Sequence, residues 1–523
     1  MRIPLGRLRQ LLLSPWWRGA AALLAGALPA LAFPAPSLWW FAYVALVPWM
    51  LLVRAAPTAR RAALDGWLGG TGFMISVHHW LIPSLNVFIV VLAALLGLLW
   101  APWGWLVRWM LGGTASASRV AASLVVVPSG WLMVELVRSW QGLGGPWGLL
   151  GSSQWQVAPA LRLASVGGVW LVSLLVVAVN TGAVGLLVAE SARSTAAAGV
   201  VACAVVTGAV WVWAPRPQDS GRTRVAVVQP GVTGSVGARF TRSETLTRQL
   251  AGRGADLVVW GESSVVHDLT ARPDLASRVA KLSRETGADI LVNVDAQRSG
   301  TPGIYKSSVL VGPAGPTGDR YDKMRLVPFG EYIPARSLLG WATSVGRAAG
   351  EDRERGTHQV VMTLPDGLRL GPLICFESAF PDMSRQLTRD GTQLLVDQSS
   401  TSSFQHSWAP EQHASLAALR AAESGRPMVH ATLTGVSAVY GPDGRRVGSW
   451  LGTDRSASEV YDIPLAHGTT LYVRFGDWPV HGALAVLAVL CAFEGVRSIR
   501  RPAPEPAAPH AHTVRGSAGR PGH

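Results

Sequence analysis

Three side chains in the polar part of this sequence have the types and settings for covalent acyl chemistry: Glu262, Lys323 and Cys375. Cys375 ends the apolar run Leu373-Ile374 and precedes Phe376-Glu377. The other two cysteines, Cys203 and Cys491, lie inside hydrophobic stretches, where a thiol is a small apolar group. Glu262 stands in Trp260-Gly261-Glu262-Ser263-Ser264, directly after an apolar run. A carboxylate there falls at a sheet edge, where sites form. Lys323 belongs to Tyr321-Asp322-Lys323-Met324-Arg325-Leu326-Val327-Pro328-Phe329-Gly330-Glu331, which adds a Pro-Phe-Gly turn and a second carboxylate. A free thiol has a pKa near 8.5, so only a few per cent is thiolate at neutral pH. A partly desolvated Glu262 beside Cys375 can take that proton and return it to a leaving group. Lys323, with a backbone N–H near Cys375–Phe376, can stabilise an oxyanion. The product of the first step is a thioester, which a second nucleophile opens. Taken singly, the same residues read as a loop acid, a surface charge and a buried thiol.

Such groups need a rigid frame, and residues 222–470 have the pattern of one. Arg224 to Gln229, Asp256 to Trp260, Ile290 to Val294, Leu370 to Ile374 and Leu394 to Val396 are short apolar runs. Helical patterns at Thr241–Arg253, Leu275–Thr286 and Ala409–Ser424 alternate with them. That alternation predicts a layered α/β domain with buried strands.

The rest of the chain predicts a membrane protein. Hydrophobic residues make up 49% and charged residues 15% of 523 residues, against about 25% charged in soluble domains. The 23 tryptophans include Trp16-Trp17 and Trp39-Trp40 at the ends of apolar runs, as expected at membrane–water interfaces. About 20 apolar residues cross a bilayer as a helix. Candidate spans fall near 17–33, 35–53, 63–83, 85–107, 120–137, 163–189 and 196–214, within an N-terminal bundle over 1–214. A final span falls near 479–496, making about eight. Arg2, Arg7, Arg9, Arg54, Arg60, Arg61, Arg108, Arg119, Arg193, Arg497, Arg500 and Arg501 then lie on one side, the cytoplasmic one by the positive-inside rule. The α/β domain falls on the opposite side. The tail 501–523, rich in Pro, Ala, Gly and His, reads as disordered. The net charge of +14 comes without a basic stripe or nucleic-acid motif, so no nucleic-acid partner is expected. There is no Gly-x-Ser-x-Gly, P-loop or His-Glu-x-x-His, which disfavours serine hydrolase, ATPase and zincin chemistry. His78-His79, adjacent on a helix and so pointing about 100° apart, read as packing or interfacial residues rather than joint metal ligands.

Together the Glu262, Lys323 and Cys375 motifs resemble, in chain order, the triad of the nitrilase superfamily. The whole chain most resembles the membrane-bound branch of that superfamily, the apolipoprotein N-acyltransferases. Glu135 with Gly145-Pro146-Trp147-Gly148, Arg420 and Glu423 with Gly425-Arg426-Pro427, Thr434-Gly435-Val436-Ser437 and Arg474-Phe475-Gly476-Asp477-Trp478 carry further likeness. The resemblance implies a polytopic α-helical membrane bundle with an extracytoplasmic nitrilase-like αββα sandwich, in the plasma membrane. It implies a phospholipid acyl donor, a diacylglyceryl-modified apolipoprotein acceptor, no cofactor or metal, and a monomer. Glu331, Phe376 and Glu377 would support the triad, with Glu331 and Glu377 reading equally well as ordinary charge partners of Lys323 or Arg325. The loosely helical apolar spacing of Leu338, Leu339 and Trp341, in the stretch Arg336 to Gly350, reads equally as a lid resting on the bilayer or as a loop packed on the domain. Three departures stand out: Phe376 replaces the family's tyrosine, Gly261 replaces a proline, and Ser399-Ser400-Thr401-Ser402-Ser403-Phe404 replaces an Asn-Asp-x-Trp-Phe stretch. Two other readings remain open at this point: a membrane-tethered nitrilase-type amidase or hydrolase, and a non-catalytic paralogue acting as a membrane scaffold.

Overall fold

The computed structural model describes residues 14–334, 336–340 and 351–499. Residues 218–467 build two six-stranded mixed sheets stacked face to face. The strands are β1 Gln218–Gln229, β2 Leu257–Trp260, β3 Asp289–Gln297, β4 Ile304–Gly312, β5 Gly315–Asp322, β6 Met362–Thr363, β7 Arg369–Ile374, β8 Leu394–Ser399, β9 Met428–Thr432, β10 Ser437–Tyr440, β11 Arg446–Leu451 and β12 Ala457–His467. The first sheet has the order β12-β1-β2-β3-β4-β5, the second β11-β10-β9-β8-β7-β6. At the centre of each, three strands run parallel: β1, β2 and β3 in one, β7, β8 and β9 in the other.

Alternation along the strands explains the layering. Val225, Val227, Val259 and Leu291 face the second sheet, meeting Leu370, Val396 and Val429. Ala226, Val228, Val258 and Ile290 face outward, under helices Val236–Arg248 and Pro273–Thr286. With both faces covered, the strands read as continuous apolar runs. The first of these helices begins earlier than the predicted Thr241, because Ser235 caps it by accepting from the Ala238 N–H at 3.1 Å.

The second sheet is covered by helices Pro381–Arg389 and Ala409–Ser424. Its outward residues Leu373, Leu395 and Met428 share one core with Trp147, Leu161 and Trp131 of the N-terminal helices. Helix Ala409–Ser424 is therefore buried on nearly every side, between sheet and bundle.

Among the described residues, four helices are long and apolar enough to cross a membrane: Ala117–Arg138, Ala158–Val188, Glu190–Trp213 and Trp478–Ile499. A fifth counts if Phe88–Gly97 and Trp100–Leu111, bent by 42°, form one span. The first two expected spans are in pieces: helix Pro15–Ala27, 3-10 turns Leu28–Ala32 and Trp39–Tyr43, and helix Val47–Arg54. Pro29, Pro34, Pro36 and Pro48 interrupt this region and remove the amide donors a continuous helix needs. Helix Ala59–Val77 has the length, yet carries Arg60, Arg61 and Asp65 in its first two turns. Trp49, Trp100, Trp103 and Trp131 are fully buried; Trp131 meets the other three edge-on, and Trp49 and Trp103 pack tilted with ring centroids 5.0 Å apart. These four tryptophans are interior rather than interfacial, whereas Trp16 and Trp17 are exposed.

The helix Ala158–Val188 is not continuous either. Gly167 and Gly168 leave helical geometry, Gly168 with φ 67°. A Cβ on Gly168 would lie 2.6 Å from the Tyr472 ring. The break frees the Val169 N–H, which donates to Glu423 Oε1 at 2.7 Å. A carboxylate from the sheet-covering helix thus caps a bundle helix.

Candidate active site

Glu262, Lys323 and Cys375, far apart in sequence, come together where the two sheets meet. Glu262 leaves the carboxyl end of β2, Lys323 follows β5, and Cys375 follows β7. Lys323 Nζ lies 3.3 Å from Glu262 Oε1 and 2.8 Å from Glu331 Oε1. Cys375 lies close enough to Glu262 for the charge of that carboxylate to act on the thiol. Glu262 and Lys323 are buried, Lys323 completely, while Cys375 is half-buried.

Local sequence explains each placement. After β2 the chain must pass tightly against the other sheet: the Glu262 N–H donates to the Ser399 carbonyl at 3.0 Å. A Cβ on residue 261 would lie 2.0 Å from the Leu433 nitrogen. Glycine at 261 is therefore required by this backbone path. Cys375 has φ 56°, in the left-handed region, and opens the 3-10 turn Cys375–Ala379. Such a conformation in a non-glycine residue is costly and is held by its surroundings. Glu377 does part of the holding: its carboxylate accepts from the N–H groups of Ile374 (2.9 Å), Met324 (2.7 Å) and Arg325 (3.0 Å), and from the Tyr321 hydroxyl (2.8 Å). One buried carboxylate thereby ties the segment carrying Cys375 to the segment carrying Lys323. Glu331 returns to Lys323 because the chain turns at Pro328-Phe329-Gly330, with Phe329 at φ 63°. Its Oε2 accepts from the Val327 N–H at 2.8 Å.

The other expected residues fall as follows. Phe376 packs edge-on against Phe380, with ring centroids 4.9 Å apart. Both para carbons would lie 2.7 Å from a Cβ on Gly145, so Phe376 fills the seam between sheet and bundle. Leu338 and Leu339 lie in a short helix, Arg336–Leu339; their side chains and all of Trp341 fall outside the described residues, as does the tail 501–523. Ser399 ends β8 buried, and the Phe404 ring meets Trp80 of the bundle at 4.8 Å. Glu135 is structural in its contacts: its Oε1 accepts from the Leu150 N–H at 2.7 Å and from Trp131 Nε1 at 2.9 Å.

Two groups escape sequence reasoning. The first is Lys306, in the middle of the site. Its Nζ lies 2.8 Å from Glu262 Oε1 and 3.1 Å from Glu331 Oε1. A single lysine in an edge-side strand looks like a solvated charge. The signal that singles it out is composition: lysine occurs only at 281, 306 and 323, although Lys and Arg together number 46. The second is a buried trio behind Cys375. Asp397 Oδ2 accepts from His430 Nδ1 at 2.7 Å. His413 Nε2 donates to the Cys375 carbonyl at 3.0 Å, while its Nδ1 accepts from the Ser399 hydroxyl at 3.1 Å. Ligand-type atoms of Asp397, His413 and His430 lie within 4.8 Å of one another; the hydrogen bonds engage both nitrogens of His413 and one atom each of Asp397 and His430, and Asp397 Oδ1 and His430 Nε2 have no hydrogen-bond partner among the described residues.

Electrostatics divide the site. Burial alone would raise the Glu262 pKa, but Lys306 and Lys323 pull it down to about 2. Glu331 is likewise lowered by Lys323 and Lys306 against its burial. Both ammoniums are held charged, against burial, by the two carboxylates. Burial and the Glu262 charge push the Cys375 thiol up, with Lys323 opposing. Burial also raises Glu377 and Asp397 to about 7 each. His413 is lowered to about 4, first by burial and then by neighbouring His430. At neutral pH the resting site is a protonated thiol facing an ionised carboxylate.

A thiol, a carboxylate and a lysine thus meet at strand ends between two sheets, in a domain joined to apolar helices. Residues 224–464 match the family profile described as carbon-nitrogen hydrolase, and residues 25–182 the one described as apolipoprotein N-acyltransferase N-terminal domain. The apolipoprotein N-acyltransferase of Azotobacter vinelandii is 31% identical, covering 94% of this chain and 98% of that protein. That of Ralstonia nicotianae is 30% identical, covering 94% and 95%, and that of Geobacter metallireducens 28%, covering 90% and 94%. This chain belongs to the apolipoprotein N-acyltransferase family. Among solved structures, a mutant of the Nesterenkonia AN1 amidase from the nitrilase superfamily covers 51% of this chain and 98% of its own, at 19% identity and a TM-score of 0.36.

Proposed function

We propose that this enzyme transfers a fatty acyl chain from a membrane phospholipid to the N-terminal α-amine of S-diacylglyceryl-cysteine in apolipoproteins, with Cys375 carrying the acyl group as a thioester. The observation that carries the reading is the convergence of the Glu262, Lys323 and Cys375 side chains beside the bundle, in a chain of this family. In the first half-reaction the thiol proton passes to Glu262 as sulfur bonds to the ester carbonyl carbon. Lys323 Nζ and the N–H groups opening the 3-10 turn after Cys375 face the oxyanion. The carbon–oxygen bond then breaks, Glu262 returns the proton to the leaving glycerol oxygen, and a lysophospholipid departs. In the second half the acceptor amine attacks the thioester, loses a proton to Glu262, and the carbon–sulfur bond breaks. The amide is released and the sulfur regains the proton. Glu331 and Glu377 orient Lys323 and the Cys375 turn, and Phe376 seats that turn on the bundle.

In this reading residues 1–214 and the helix near 479–496 anchor a catalytic domain at 222–470, outside the cytoplasm. The shorter pieces Pro15–Ala32 and Trp39–Arg54, the helix Ala59–Val77 and the bent pair complete eight passes. The arrangement of arginines supports the orientation. Arg54 donates to the Leu111 carbonyl at 2.7 Å, Arg108 to Ala56 at 2.8 Å, and Arg119 to Gly112 at 2.7 Å. Arg18 and Arg61 both pair with Asp65 at 2.8 Å. Those groups mark one end of the bundle. Helix Ala117–Arg138 starts there and ends at the sheets, where Gln141 donates to the Leu326 carbonyl at 3.0 Å. Arginines at the end away from the active site fit a cytoplasmic arginine end.

The test is incubation of the full-length protein in phospholipid vesicles with a lipopeptide bearing an N-terminal S-diacylglyceryl-cysteine. The reading predicts an N-acylated lipopeptide and an equal amount of lysophospholipid. Release of free fatty acid with the amine unmodified contradicts it and indicates a hydrolase.

A further inference from the structure

We propose that Lys306 is a second positioning cation of this reaction, clamping the Glu262 carboxylate and keeping the site's charge balanced when the oxyanion forms. This inference rests on the acyl-transfer reading above. Lys306 lies nearer to Glu262 than Lys323 does, 2.8 Å against 3.3 Å at the same oxygen. It also reaches Glu331 at 3.1 Å and Asp295 at 3.8 Å. Asp295 is separately paired with Arg353 at 3.1 Å. The central group is therefore two ammoniums against two carboxylates. When the thiol proton moves to Glu262, one negative charge leaves that carboxylate and one appears on the oxyanion. Two cations still face two anions, and no net charge is created in a buried site. Without Lys306 the oxyanion and Glu331 would share Lys323 alone.

Residue choice agrees. The chain uses arginine almost everywhere, yet two of its three lysines point at Glu262. An ammonium is a compact point charge that fits between two carboxylates, whereas guanidinium is a broad planar fork. Other charged or titratable groups facing this cluster are Cys375 and, from the second sheet, Asp397 and His413.

The experiment follows the rate of Cys375 acylation by vesicles of labelled phospholipid, in short reactions from pH 2 to 9, in the full-length protein and in Lys306→Met, Lys306→Gln and Lys306→Arg. A base must be ionised, so activity falls as pH drops through the Glu262 pKa. Removing a neighbouring cation raises that pKa. The expected result is an acid limb displaced upward by about one pH unit or more in Lys306→Met and Lys306→Gln. In Lys306→Arg, which keeps the charge, the limb stays in place. An unchanged profile in Lys306→Met, or loss by the same factor at every pH, overturns the proposal. Absence of a Cys375 adduct in the unmutated protein would instead overturn the acyl-transfer reading itself.

Discussion

The two sheets bring opposite electrostatics to one site. The first supplies buried Glu262, largely buried Lys306 and, just past its edge strand, buried Lys323, all held charged by one another. The second supplies half-buried Cys375 and buried Glu377, Asp397 and His413, all pushed toward their neutral forms. The difference comes from partners rather than depth. Lysines compensate the carboxylates of the first sheet. The second sheet faces the apolar bundle and offers its acids hydrogen bonds but few cations. In the proposed reaction the charged half accepts a proton and steadies an oxyanion, while the neutral half holds Cys375 as a thiol before substrate binds.

That division can be broken from the charged side with the largest effect. Glu262→Gln keeps the shape but removes the base, and acylation of Cys375 should fall by about 10²–10⁴-fold, read by single-turnover kinetics. Lys323→Met removes the cation facing the oxyanion and should cost about 10²–10³-fold in rate, with the parent fold confirmed by its thermal transition. Gly261→Ala tests the seam instead: with Leu433 backbone 2.0 Å from the new methyl, the first sheet must shift. A stability loss of about 1–3 kcal/mol is expected, visible as a lower Tm and a weaker kcat.

Stability against pH sharpens the contrast. Glu262 has a folded pKa of about 2, below its unfolded value; its contribution is present above the unfolded pKa and lost as pH falls toward 2. Asp397 and Glu377, raised to about 7, work the other way: the folded state keeps protons the unfolded chain has released. Stability therefore declines as pH rises from their ordinary values through about 7. Asp397→Asn should flatten part of that decline between pH 5 and 7.5 in Tm measurements in detergent. The smallest effect is expected for Phe376→Tyr, where the added hydroxyl must fit against Gly145; a change of a few-fold in rate is expected.

The triad was legible because strand ends and a turn fix it locally. Trp260-Gly261-Glu262 and Leu373-Ile374-Cys375 each join an apolar run to a reactive group, and the Lys323 to Glu331 stretch sets a lysine and a carboxylate on either side of a Pro-Phe-Gly turn. The central strands and the helix Ala409–Ser424 were legible for the same reason, through period and length. Lys306 was not, because a strand side chain at one position can face either solvent or a neighbouring sheet, and only tertiary packing decides. The Asp397–His413–His430 trio was hidden by the same ambiguity across three separate segments. In the membrane part, hydropathy gave apolar runs but not their breaks. The prolines between 29 and 48 divide one stretch into short pieces, and Gly167-Gly168 opens another so that Glu423 can enter.

The central claim is that Cys375 carries the acyl chain, and the most direct measurement is chemical. Full-length protein is incubated with phospholipid bearing a labelled acyl chain, without acceptor, and the adduct is mapped by mass spectrometry. The account predicts a hydroxylamine-labile label on Cys375, absent in Cys375→Ala, that is chased onto a diacylglyceryl lipopeptide when acceptor is added. Transfer to the lipopeptide by Cys375→Ala, or a label lodged on another residue, would contradict it.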